Sequence, residues 1–221
     1  MISSIKPVHT RFRGYQLGEK GSSFSYYAGG HFTLLEAMVT DFSKERLLQE
    51  LSICKKVAID QLHITSWDID HCKPTSLEWL LNKLKPRRIE FPGYRPHTDA
   101  GFESLALIEA YRKIEYGAEQ RVTVQAIEPR YVISLNPASA LGYSDVIYHP
   151  KRLYDKSNNN STVKFFRRGS FNVLSLGDVE APEIASLLTA QCKTPRNRAS
   201  SGPRHPTSHD FIPGIGFPFP F

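Results

Sequence analysis

The sequence predicts a mixed α/β layered fold. Stretches rich in β-branched and aromatic residues alternate with stretches whose apolar residues recur at helical spacing, so strands and helices interleave along the chain. The order opens on a strand pair and returns to strand pairs late, which separates it from a pure βαβ repeat. With 40% apolar residues in 221 positions, there is enough apolar material to bury a core.

Taken in order, Ser22–Ala28 and Phe32–Val39 read as two strands around Gly29-Gly30, a hairpin signal. Ser43 then caps a short amphipathic helix with Leu47, Leu48 and Leu51 on one face. Val57–Thr65 ends in a β-branched apolar run and reads as a central strand. After a polar loop, Thr75-Ser-Leu-Glu78 is a capping box that opens a helix to about Leu84, stopped by Pro86. Arg88–Phe91 is a strand broken by Pro92-Gly93. A longer helix starts at Thr98 or Asp99 and runs through about Tyr116, with Leu105, Ile108 and Tyr111 at helical spacing. Val122–Ile127 and Asp145–Tyr148 read as strands, Thr162–Phe166 and Phe171–Leu176 as a hairpin across Arg168-Gly169, and Pro182–Gln191 as a last helix.

Beyond Gln191 the composition changes. Residues 192–221 hold six of the fifteen prolines, show no hydrophobic period and end in Gly-Phe-Pro-Phe-Pro-Phe, so an irregular tail is expected there. That tail carries about half of the net charge of +6, which leaves the rest of the chain only mildly basic. Charge alone therefore does not specify nucleic acid as partner. Three widely spaced cysteines without a CxxC pair fit a reducing compartment. No signal-like apolar segment follows Met1, and no apolar run reaches the ~20 residues of a membrane helix. A cytoplasmic protein without a membrane partner is expected.

The stretch His63-Ile-Thr-Ser-Trp-Asp68-Ile-Asp70-His71 concentrates the chemistry. Carboxylates at the end of a buried strand are costly to desolvate without a partner. A divalent cation is one partner, and Asp68, Asp70 and His71 supply hard oxygen and borderline nitrogen donors suited to Zn2+ or Mn2+. The other is backbone: Asp68 and Asp70 accepting N–H bonds in a turn that leads to the helix. His63 lies inside the strand pattern, where a histidine more often belongs to the core.

Asp-x-Asp-His after a strand resembles the second motif of the metallo-β-lactamase fold, His-x-His-x-Asp-His, in the variant of the hydrolase domain of the competence protein ComEC and its free-standing relatives. Asn158-Asn-Asn-Ser161-Thr-Val-Lys-Phe-Phe, Gly169 and Val173-Leu-Ser-Leu-Gly-Asp178 are similar to a second block of that family. The resemblance covers roughly residues 12–191. Gly18-Glu-Lys-Gly-Ser-Ser23 stands at a glycine-rich turn of the family, and Glu36 where an aspartate is frequent. It implies an αββα sandwich over residues 1–191, with Asp70 and His71 on one metal, Asp68 on another and Asp178 between them. Asp70 would also orient or deprotonate the attacking water. The implied activity is phosphodiester hydrolysis in a nucleic acid or nucleotide, with one or two divalent ions.

The sequence also departs from the family. Ser66 stands where a histidine is usual, so one metal site is weakened or served by His63 or His97. The His-His-Gly-Ser-like block expected after the last helix is missing, and His205 and His209 have no strand context. A frame truncated or shifted at its C-terminal end, incomplete in its last quarter, accounts for this; so does a divergent tail. The rival function is a non-catalytic remnant or binding module that keeps the scaffold. Arg95 on the Pro92–Asp99 loop is placed either to face an anionic substrate or as an ordinary loop residue, and His149 is expected to end a strand.

Overall fold

In the computed structural model, which describes residues 8–117, 122–132, 134, 146–150, 152–166 and 169–191, the chain first folds back on itself twice. Thr10–Gly14 (β1), Phe24–Ala28 (β2) and His31–Leu35 (β3) pair antiparallel in turn. Gly29 and Gly30 both take positive φ, 57° and 85°, the geometry a two-residue hairpin needs and β-carbon-bearing residues resist. β1 escaped the sequence pattern because its inner face is charged. Arg11 Nε lies 2.5 Å and Arg13 Nη1 3.1 Å from the buried carboxylate of Glu50, so ion pairs stand where apolar alternation was sought.

From β3 onward the sheet grows in one direction. Gln61–His63 (β4), Arg88–Pro92 (β5) and Thr123–Ile127 (β6) are added in parallel, giving the order β1-β2-β3-β4-β5-β6. The three crossovers run through the helices Asp41–Ile53 (α1), Pro74–Leu84 (α2) and Asp99–Gly117 (α3). Successive right-handed crossovers in one direction put every helix on the same face of a sheet. Leu47 and Leu51 of α1, Leu77 and Leu80 of α2 and Ile108 of α3 accordingly share one core with Phe32, Leu34, Leu62 and Ile89.

The opposite face carries a second, antiparallel sheet of Val146–Tyr148 (β7), Val163–Phe166 (β8) and Val173–Ser175 (β9). At one end the contact is apolar, Phe166 packing with Tyr26, Ala28 and Leu35. Toward the other it is polar and buried: Lys164 Nζ sits 2.7 Å from Glu90 Oε2, His63 Nδ1 3.0 Å from the same oxygen, and His63 Nε2 3.2 Å from Thr162 Oγ1. Period-2 alternation explains the split, because Leu62 and Ile89 face the helices while their neighbours His63 and Glu90 face the second sheet.

Several boundaries differ from those expected. α1 begins at Asp41 with Thr40 as its cap, whose N–H donates to Ser43 Oγ at 2.9 Å; Ser43 is the third helical residue and not the cap. α2 begins at Pro74, where a missing N–H costs nothing, and not at a Thr75 capping box. The strand expected over Val57–Thr65 contracts to β4, its first residues forming a turn that leaves Val57 almost fully exposed. The chain divides into two compact units, Met1–Asp178 and Val179–Phe221. The helix Pro182–Gln191 (α4), expected from sequence, belongs to the second. The tail after it and the turn at Arg168 lie outside the described residues. Among the described residues, no helix is long and apolar enough to cross a membrane.

Candidate metal centre

The β3–β4–β5 ladder continues past the strand ends and carries the acidic loop with it. Glu36 N–H donates to the His63 carbonyl at 2.8 Å, Ile64 N–H to Glu90 at 2.8 Å, and Thr162 N–H to Thr65 at 2.9 Å. The loop then closes on itself: the N–H groups of His71 and Cys72 both donate to the Asp68 carbonyl at 2.9 Å, and that of Asp68 to Ser66 Oγ at 3.2 Å. A bridge between Ala37 and Cys72, with Ala37 N–H donating to the His71 carbonyl at 2.8 Å, pins the histidine backbone beside β3.

Asp178 reaches the same place from the second sheet. β9 ends in a turn in which Gly177 takes φ 57°, and a β-carbon there would stand 2.6 Å from Ser161 Cβ, so glycine is required twice over. The Asp178 N–H donates to Ser161 Oγ at 3.3 Å, aiming the carboxylate back toward the loop.

One ligand atom each from Asp70, His71 and Asp178 lies within 4.8 Å of the others. The tightest contact is His71 Nε2 to Asp178 Oδ2, at 3.0 Å. Behind the ring, His71 Nδ1 lies 3.3 Å from both Glu36 Oε1 and Thr65 Oγ1. Glu36 is itself held by the Thr65 N–H at 3.0 Å and hydroxyl at 2.6 Å, and takes φ 69°, a strained value for a residue with a side chain. Burial works against charge on His71, but the Glu36 and Asp178 carboxylates outweigh it and push the imidazole up to about 10. Asp70 experiences the same contest. Burial raises it, yet the Lys20 ammonium at 2.9 Å and the charge of His71 hold it below the ordinary carboxylate range.

Of the sequence-predicted residues, the structure brings together Asp70, His71 and Asp178. Asp68 lies on the same loop outside that group, its carboxylate 3.7 Å from His97 Nε2. His63 is fully buried among Glu90 and Thr162. Arg95 lays its guanidinium over the Phe102 ring, 5.2 Å from the centroid. His149 follows β7 as expected, with Nδ1 bonded to the Pro150 carbonyl at 2.8 Å. His205 and His209 lie outside the described residues. Thr65 and Lys20 were not singled out from sequence. Lys20 sits in the Gly18–Ser23 turn, where Gly21 (φ 135°) lets the backbone approach the Asp70 carbonyl so closely that a β-carbon would stand 2.6 Å from it. Thr65 has no signal beyond its place at the strand end.

No family model matches the sequence, and no curated protein matches it.

Proposed function

We propose that the chain is a metal-dependent hydrolase on a metallo-β-lactamase-like αββα scaffold, acting on a phosphodiester in a nucleic acid or nucleotide. The observation that supports it is the convergence of Asp70 and His71 from one sheet with Asp178 from the other. Two carboxylates and an imidazole form a donor set for Zn2+ or Mn2+. Their ligand atoms lie within 4.8 Å of one another, so these three residues would hold the ion. Asp68 would serve a second, weaker position with His97.

A divalent ion held there supplies Lewis acidity toward a phosphoryl oxygen and toward water. The chain's own residues do the rest. Glu36, accepting at His71 Nδ1, fixes the tautomer that turns Nε2 toward the ligand position. Asp70, held below the ordinary carboxylate range by Lys20 and His71, would orient or deprotonate the attacking water. Lys20, almost fully exposed, stands at the rim with a charge suited to phosphate. The experiment is a calorimetric titration of the full chain with Zn2+ and Mn2+, followed by turnover of bis-p-nitrophenyl phosphate against Asp70→Ala. A folded chain that binds neither ion overturns the proposal.

The second function, a scaffold that keeps the loop without turnover, is favoured by one observation. Lys20 already neutralises Asp70, so the loop has a partner without a metal. Under it, the protein binds at most one ion and hydrolyses no faster than Asp70→Ala.

A further inference from the structure

Thr65, the second residue past the end of β4, is fully buried and touches both halves of the acidic centre. Toward the first sheet, its N–H donates to Glu36 Oε2 at 3.0 Å and its hydroxyl to Glu36 Oε1 at 2.6 Å. Toward the second sheet, its carbonyl accepts the Thr162 N–H at 2.9 Å. Ser161, beside Thr162, is the residue whose Oγ receives the Asp178 N–H. The hydroxyl also lies against the turn that carries Asp178, because a β-carbon at Gly177 would stand 2.9 Å from Thr65 Oγ1.

Counting protons shows what the hydroxyl does. A threonine hydroxyl has one proton to give and lone pairs to receive. The Glu36 carboxylate only accepts, so the proton is committed there, and Oγ1 faces His71 Nδ1 at 3.3 Å as an acceptor. Glu36 Oε1, also 3.3 Å from Nδ1, is a second acceptor. Nδ1 therefore carries a proton, and Nε2 is the nitrogen turned toward Asp178, 3.0 Å away. The last torsion of a glutamate is broad when nothing holds it. Two bonds from one residue, one to each oxygen, fix the plane of Glu36 and with it the acceptor behind the ring. Valine has the shape of threonine and can make neither hydroxyl contact.

We propose that Thr65 is a positioning residue of the metal centre: its hydroxyl orients the His71 ring, directly and through Glu36, while the same oxygen and the Thr65 carbonyl seat the segments that place Asp178. As an aid to ion binding this rests on the function proposed above; as a clamp between the two halves it stands on its own geometry.

The test compares Thr65→Val, which removes the hydroxyl, with Thr65→Ser, which keeps it, so that rescue by serine separates the hydroxyl from packing. In calorimetric titration of the full chain with Zn2+, Thr65→Val is expected to bind about 10–100-fold more weakly than wild type, and Thr65→Ser close to wild type. The His71 ring-nitrogen and Asp178 amide resonances, recorded in EDTA, make the same comparison without an ion. Thr65→Val is expected to shift both, and Thr65→Ser to leave both near their wild-type positions. A wild type that binds no ion overturns the function proposed above and leaves these resonances to decide the role of Thr65. Should Thr65→Val not fold, the Thr65 hydroxyl proton of the wild type is followed instead. Buried and donated to Glu36, it is expected to exchange slowly with solvent and to show a through-space contact with the His71 ring. Equal Zn2+ affinity in Thr65→Val and wild type, no rescue by serine, unmoved His71 or Asp178 resonances in Thr65→Val, or a fast-exchanging hydroxyl overturns the proposal.

Discussion

Replacing Lys164 by methionine tests how the two sheets are joined. Lys164 is almost fully buried, and its ammonium sits 2.7 Å from Glu90 Oε2, inside the interface between β8 and β5. Methionine keeps most of the volume and removes the charge. Breaking a buried ion pair from one side costs about 3–5 kcal/mol, because the remaining charge is left in a low-dielectric interior. Glu90 still has Arg88 Nε at 2.9 Å and His63 Nδ1 at 3.0 Å, so the lower end of that range is expected, about 3 kcal/mol. At a urea slope of about 2 kcal/mol/M, the unfolding midpoint falls by about 1.5 M. Neutralising the orphaned carboxylate in the double variant Lys164→Met, Glu90→Gln should recover at least ~1 kcal/mol of the loss. Urea melts followed by tryptophan fluorescence measure both. A single variant that loses less than ~1 kcal/mol, or a double variant no more stable than the sum of the singles, would refute the claim that this pair carries the interface.

The same carboxylate sets an acid limit. Burial pushes Glu90 up, but Lys164 and His63 outweigh it and hold it well below 4.5, so its stabilisation is complete above pH 4.5 and lost as pH falls toward the folded value; acid titration of the wild type should show this loss, and the double variant a smaller one. His71 acts oppositely. Raised from 6.5 to about 10, it stabilises the metal-free protein fully below pH 6.5 and ceases to as pH rises through about 10, a fall that His71→Gln should flatten in thermal melts in EDTA. Glu36→Gln should weaken zinc binding about 10–100-fold in a calorimetric titration, since the Glu36 carboxylate holds the far side of the His71 ring while it is itself held by Thr65. Gly177→Ala forces a side chain into φ 57° against Ser161; it should cost about 1–2 kcal/mol or more in urea and loosen Asp178, weakening metal binding in parallel.

Local pattern determined much of this protein. The Gly29-Gly30 hairpin, the apolar spacing of Leu77, Leu80 and Leu84 and the β8–β9 pair follow from short-range rules of turn geometry and periodicity, which is why the mixed α/β class was legible in the sequence. So was the concentration of donors at Asp68–His71, because carboxylates beside a buried strand stand out by their desolvation cost. Only the tertiary structure decided which donors meet. Asp70 and His71 reach Asp178 because parallel pairing from β3 to β6 sends the β4 loop out of one sheet edge, where the β9 turn arrives from the second sheet. Asp68, two residues from Asp70, falls outside the group for the same reason. Lys20 beside Asp70 and the Lys164–Glu90 pair left no local trace. Each is made by chain segments far apart in sequence, 74 positions in the case of Lys164 and Glu90, and their meeting depends on how whole sheets stack, which no window of neighbouring residues encodes.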